Sequence, residues 1–181
     1  MKILGIDPGS RITGFGLIEK GSDFRKWRYI ASGLIRMSSN DSLARRIDTL
    51  AHSIQEVINH YDPHEVVIEQ VFINTNAAAS LVLGQARGGI MAAVSLMNRP
   101  IYEYSALQVK KAVVGRGKAQ KSQVQLMVKE MLSLNHEPSS DAADALAVAL
   151  THGFYSEHRL SERSGGCLLY TSPSPRDGLL S

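Results

Sequence analysis

The chain opens with three strand-like segments whose joints are too short for anything but hairpins. KILGID and TGFGLIEK are separated by the turn PGSR, and FRKWRYIASGLIRM follows the turn signal KGSD. Sequential strands joined this tightly predict an antiparallel meander. The period then changes. In SSNDSLARRIDTLAHSIQEVINHYDP, Leu43, Ile47, Leu50, Ile54, Val57, Ile58 and Tyr61 recur at helical spacing, between an Asn40/Asp41/Ser42 start and a Pro63 stop. EVVIEQV is a continuous apolar run of the kind a buried strand shows. AAASLVLGQARGGIMAAVSLMN reads as a helix of small residues, whose Gly84, Gly88 and Gly89 permit close approach of another helix or a second subunit. The strand IYEYS comes next, followed by the helices ALQVKKAVV, KSQVQLMVKEMLSL and DAADALAVALTHGF, with the loops GRGKAQ and NHEPSS between them. The order β-β-β-α-β-α-β-α-α-α predicts an α/β fold with a mixed sheet flanked by helices.

Into this frame the sequence sets carboxylates where they are costly. Asp7 ends the first strand and Glu69 stands near the end of EVVIEQV. Asp141 and Asp144, three apart, share one face of a helix that is otherwise Ala, Leu and Val. Each has an ordinary explanation. Asp141 suits a helix N-cap, Asp144 a first-turn acid favoured by the helix dipole, and Glu69 an arginine partner. The joint pattern is harder to explain that way. Two adjacent carboxylates on a tightly packed helix stay ionised together most easily with a divalent cation between them. With Asp7 and Glu69 at the ends of neighbouring strands against that face, the set becomes four carboxylates, which suits Mg²⁺ or Mn²⁺ rather than zinc.

Charge distribution adds a second feature. From Ala106 to Lys129 there are six basic residues (Lys110, Lys111, Arg116, Lys118, Lys121 and Lys129) and no acidic one. A one-signed stretch of this kind is either a solvated helical face or a phosphate-binding surface. GRGKAQKS is not a nucleotide-binding P-loop, because Ala stands at positions 112 and 119, where Gly and Ser or Thr are required. The net charge of +3 is too mild to name a partner. His60 and His64 are separated by the helix-breaking Asp62-Pro63 and make no metal motif; His152 reads as structural. A composition of 44% hydrophobic and 20% charged residues is that of a globular domain. No uninterrupted apolar run reaches the roughly 18 residues of a membrane span, and a cytoplasmic protein is expected. The single cysteine, Cys167, excludes a disulfide framework and opens CLLYTSPSPRDGLLS, which continues no pattern and looks like a translated sequencing adapter. The expected organisation is one domain over residues 1–158 and a flexible tail over 159–181, non-native from 167.

In combination, IDPGSRITGFG, VVIEQVF, LGQARG, VKKAVVGRGKAQKSQVQ and DAADALAVALTH resemble the RuvC family of bacterial Holliday junction resolvases, from Met1 to about His158. The resemblance implies a ribonuclease-H-like fold with a five-stranded mixed sheet. It implies a homodimer, joined through the helix from Ala77 to Met97. The activity implied is a Mg²⁺-dependent endonuclease that resolves four-way DNA junctions by paired symmetric nicks in homologous recombination and repair, with Mn²⁺ as a substitute ion. Asp7, Glu69, Asp141 and Asp144 match the family's metal-binding carboxylates. Lys110 and Lys121 match lysines that contact the DNA backbone, and Arg116 and Lys118 in the GRG loop are candidates for further phosphate contacts. Phe72 matches an aromatic that stacks on unpaired bases, although a phenylalanine after a strand is more often simply core. The family's branch-migration partners are RuvA and RuvB. Two other classes start from similar features. Actin-like and sugar-kinase phosphotransferases share the DxG turn but need a second lobe and a longer chain. A non-catalytic junction-binding protein would use the same acids as caps and ion pairs.

Overall fold

The computed structural model describes residues 1–21, 26–71 and 76–165. β1 (Lys2–Asp7), β2 (Ile12–Lys20) and β3 (Trp27–Arg36) form the antiparallel meander. α1 (Leu43–Tyr61), β4 (Glu65–Gln70), α2 (Ala77–Leu96) and β5 (Ile101–Ser105) then alternate, and α3 (Ala106–Val114), α4 (Lys121–Met131) and α5 (Ser140–Gly165) close the chain. β4 and β5 join parallel to β1, giving a five-stranded mixed sheet of order β3-β2-β1-β4-β5. The element order is the one the sequence predicts. β1 is therefore the central strand, with the antiparallel half on one side and the parallel half on the other.

Alternation along the strands divides the core into two layers. Leu4, Ile6, Leu17, Val66 and Ile68 face α1 and α2, where Leu50, Ile54, Ile58, Ile90 and Val94 meet them. Burying side chains of this size stabilises by about 1.5–3 kcal/mol each. Ile3, Ile18, Val67 and Tyr104 face the other way, against α3, α4 and α5. α1 begins with Ser42 capping Arg45 N–H and ends on Asp62 in the left-handed region, just before the Pro63 stop.

α5 lies on the sheet at backbone distance. Its inward residues Ala142, Ala143, Ala145, Ala147 and Ala149 are buried, and the strands beneath carry glycines. A Cβ at Gly5 would fall on the carbonyl oxygen of Ala145, and one at Gly14 on that of Asp141. α5 also runs on to Gly165, past the Phe154 end expected from sequence and through the 158/159 division without a break. YSEHRLSER is a run of mostly adequate to good helix formers with no Gly or Pro to stop it. Residues 166–181, including the adapter-like segment, lie outside the described residues.

α2 differs from the sequence expectation in another respect. By length and composition it is a helix able to cross a membrane, because a few small and polar residues interrupt the apolar run without lowering its average. In the fold it is laid along α1 through Ala86, Ile90, Ala93 and Val94, and its Arg87 is ion-paired with Glu103 of β5.

The close seating of α5 gives a direct test. Overpacking costs about 1–3 kcal/mol, and each kcal/mol is worth roughly 2–4 °C in a chain of this size. Gly5→Ala is therefore expected to lower the melting temperature by several degrees, measured by circular dichroism; an unchanged midpoint would show that α5 is free to lift away.

Candidate active site

The acidic residues meet at the carboxyl end of β1 and β4, the usual position for a ligand site in an open α/β sheet. Asp7 and Glu69 follow the last paired residues, Ile6 and Ile68, of the parallel β1–β4 ladder. On β1 the parity of Ile3, Gly5 and Asp7 directs the carboxylate to the α5 side, and on β4 that of Val67 and Glu69 does the same. Asp141 stands in the first turn of α5, not at its cap, and Asp144 lies one turn on. Oxygens of Asp7, Asp141 and Asp144 lie within 4.8 Å of one another. Glu69 stands outside that tight triad but hydrogen-bonds Asp7 and lines the same cavity, of about 160 Å³, with Asp7, Asp144, Lys110 and Lys121.

Local structure explains how these side chains are held. The Pro8–Arg11 turn after Asp7 is tied by Thr13, whose buried hydroxyl receives the Gly9 N–H at 3.3 Å. Arg46 of α1 donates from Nη1 to the Ser10 carbonyl at 3.0 Å, fastening the same turn from the other layer. Met37 N–H donates to the Arg11 carbonyl at 2.9 Å. On the basic side, Ser105 and Gln108 form a capping box at the start of α3, and Gly115 takes the left-handed conformation that ends it. α4 starts at Lys121, an unfavourable place for a cation on helix-dipole grounds. Opposite charge compensates, since Lys121 Nζ donates to Asp144 Oδ2 at 3.1 Å.

Crowding like charges perturbs them. Burial first, then the Glu69 charge and the hydrogen bond that protonated Asp7 donates to Glu69, push Asp7 up to about 8. Glu69 is raised as well, chiefly by burial, with its hydrogen bond to Asp7 acting in the opposite direction. The metal-free pair therefore holds a proton between its two carboxylates across neutral pH. The Asp144 hydrogen bond and charge hold the Lys121 ammonium above its ordinary range.

Of the residues expected from sequence, the four carboxylates, Lys110 and Lys121 come together. Arg116 and Lys118 are exposed on the α3–α4 loop, outside the cavity lining. Phe72 lies outside the described residues. Sequence reasoning missed Arg46, Thr13 and Gly14. Gly14 and Thr13 sit in the quoted IDPGSRITGFG motif, so their positions were visible and their contacts were not. Arg46 carries no local signal, since its partner is 36 residues away.

This fold is ribonuclease-H-like, and the site is a carboxylate cluster at the end of its central strands with lysines on the rim, the architecture of a nuclease. Residues 3–152 match the family model described as crossover junction endodeoxyribonuclease RuvC. A Chromobacterium violaceum protein of that name is 56% identical over 155 residues, 86% of this chain and 87% of the relative. The solved structure of Thermus thermophilus RuvC in complex with Holliday junction substrate superposes with a TM-score of 0.81 at 34% identity, covering 88% of this chain and 96% of that one. The yeast mitochondrial Holliday junction resolvase Ydc2 shares the fold, with a TM-score of 0.67 at 12% identity over 90% of this chain and 83% of that one. The chain belongs to the RuvC family of crossover junction endodeoxyribonucleases.

The raised Asp7 has a consequence for stability. Between its unfolded value of 3.8 and its folded value of about 8, the native state keeps a proton that the unfolded chain has released. Stability from this group is fully present below the lower value and is lost as pH climbs through the upper one. In EDTA the melting temperature is expected to fall between pH 5 and pH 8, and Asp7→Asn is expected to flatten that fall. Equal slopes in the two proteins would contradict the shared proton.

Proposed function

We propose that this chain is a divalent-metal-dependent endonuclease that resolves four-way DNA junctions by paired, symmetric nicks during homologous recombination and repair. The observation that carries the reading is the convergence of Asp7, Asp141 and Asp144, with Asp7, Glu69 and Asp144 lining one cavity together with Lys110 and Lys121. The donor set fits a hard cation. It is all oxygen, and without such an ion its mutual repulsion is relieved by a proton on Asp7 and by the Lys121 charge beside Asp144. Mg²⁺ is the physiological ion in this reading and Mn²⁺ a substitute. When bound, such ions lower the pKa of a water and stabilise the charge on the phosphate and leaving oxygen.

The chain's own residues supply the rest. Asp7 on the central strand and the α5 pair Asp141 and Asp144 would hold the metal, with Glu69 beside Asp7. Lys121, tethered to Asp144, brings a positive charge to the mouth of an otherwise anion-repelling site. Lys110 does the same from α3. Arg116 and Lys118, on the adjoining exposed loop, are positioned to contact backbone phosphates further along an arm, where each neutralised phosphate releases counterions. Phe72 is proposed to stack on unpaired bases at the junction centre. The proposed nuclease domain covers residues 1–158, with α5 continuing beyond that bound to Gly165. A chromosomal substrate fits a cytoplasmic protein, and family membership suggests RuvA and RuvB as branch-migration partners.

Symmetric cutting needs two active sites, and α2 is the proposed dimer surface. Its outer face exposes Leu81 at 64% and Leu96 at 76%, and Gly84 and Gly88 look onto open space, so a second helix has room to approach. The neutral amide of Asp7→Asn is a poor ligand for Mg²⁺. We expect that variant to bind a synthetic four-way junction like the parent. It should cut the junction more slowly by more than the roughly 100-fold that loss of an outer partner of a metal ligand costs. Binding in EDTA and cutting in Mg²⁺, measured side by side, test both halves; metal-independent cutting would refute the reading. Leu81→Glu is expected to convert a dimer to a monomer in sedimentation velocity, and a persistent dimer would move the interface elsewhere.

A further inference from the structure

A buried polar chain crosses the α5–β4–β5 contact at the end opposite the carboxylates. His152 of α5 is 1% exposed. Its Nε2 lies 2.8 Å from Glu65 Oε2, and its Nδ1 lies 2.9 Å from the Tyr104 hydroxyl. The carboxylate accepts, so Nε2 carries a hydrogen and donates it. In the neutral ring, Nδ1 then accepts the Tyr104 O–H. The Tyr102 ring packs on the imidazole at 4.3 Å, and Tyr155 stacks on Tyr104 at 5.4 Å. Both ring nitrogens are used, and an imidazole buried without them would be costly.

The position of this chain gives it a consequence for the site. Glu65 and Glu69 lie on the same face of β4, four residues or about 13 Å apart at strand rise. His152 follows Asp144 by eight residues of α5, or about 12 Å at helical rise. The helix runs against the strand, so the two spans match: His152 is level with Glu65 where Asp144 is level with Glu69. Between these two levels Ala, Leu and Val seat on Gly, Ile and Val, with Ala145 and Ala149 over Gly5 and Leu146 over Gly16. To this apolar fit the two His152 hydrogen bonds add a directional anchor. A slip of one helical turn, about 5.4 Å, would break both His152 hydrogen bonds and carry the aspartates off the cluster.

We propose that His152, held by Glu65 and Tyr104, is a positioning residue that fixes the axial register of α5 and so brings Asp141 and Asp144 level with Asp7 and Glu69 for metal binding. Its consequence rests on the metal-dependent reading above. Mn²⁺ is the probe, titrated into the metal-free protein by calorimetry, with melting temperature and junction binding in EDTA measured in parallel. His152→Ala and the milder Glu65→Ala are expected to weaken Mn²⁺ binding roughly tenfold, the lower end of the range for groups that support metal ligands. Junction binding in EDTA should stay unchanged. Glu65→Gln, which still accepts the Nε2 hydrogen, should restore Mn²⁺ affinity to near the parent's. Lowered melting temperatures with undiminished Mn²⁺ affinity would overturn the proposal and leave the chain a purely stabilising contact. Absence of Mn²⁺ binding in the parent protein would overturn the metal-dependent reading itself, and the register role with it.

Discussion

The site depends on how closely one helix can lie on one sheet. Carboxylates are short side chains, and three from two different elements have oxygens within 4.8 Å only because the backbones carrying them nearly touch. Gly5, Gly14 and Gly16 remove the side chains that would hold α5 off, and an alanine-lined helix face fills the gap without spreading it. The same economy of side-chain volume that makes α5 look featureless in sequence is what lets Asp141 and Asp144 reach the strand ends. Leucines at Ala145 and Ala149 would give a deeper core and a site too wide to chelate.

Proximity of that order carries an electrostatic cost, which the fold spreads over two elements. Asp7 is pushed up to about 8 mainly because burial penalises its charged form, so the metal-free site relieves itself by protonation. Lys121 relieves it from outside, at the one helix position where its own dipole interaction is unfavourable. A lysine at the start of α4 is thus destabilised by its helix and stabilised by its neighbour across the cleft. Through Lys110 and Lys121 the basic α3–α4 segment reaches the cavity that Asp7, Glu69 and Asp144 line.

Much of this was legible in the sequence. The alternation of strand and helix periods yields all ten elements in order, because hydrophobic periodicity and turn chemistry are local signals. The four acids stand out because they interrupt apolar runs where a charge is costly. What was not legible was long-range. Nothing near Arg46 announces that it holds the Ser10 carbonyl, and nothing near Glu65 announces a histidine 87 residues away. The end of α5 was misjudged for the opposite reason. SEHRLSER has no apolar face to read, and helix propensity alone carries the helix to Gly165. In α2, an average over small and polar residues reaches membrane-like hydropathy that no single uninterrupted run reveals.

Strand parity ties the two layers of the molecule to separate tasks. Leu4, Ile6, Val66 and Ile68 point to α1 and α2, and the residues between them point to α5. Because the strand period is two, a one-residue slip of β4 against β1 would send Glu69 into the α1–α2 layer and Val66 and Ile68 into the α5 layer. An ionised carboxylate in the first environment would sit among apolar side chains, and the second has little room beside the α5 backbone. The cost falls on both faces at once, so the register that builds the apolar core is also the one that assembles the acidic site. For Asp7 and Glu69, the strand-borne half of the cluster, placement thus follows from burying isoleucines on the correct side.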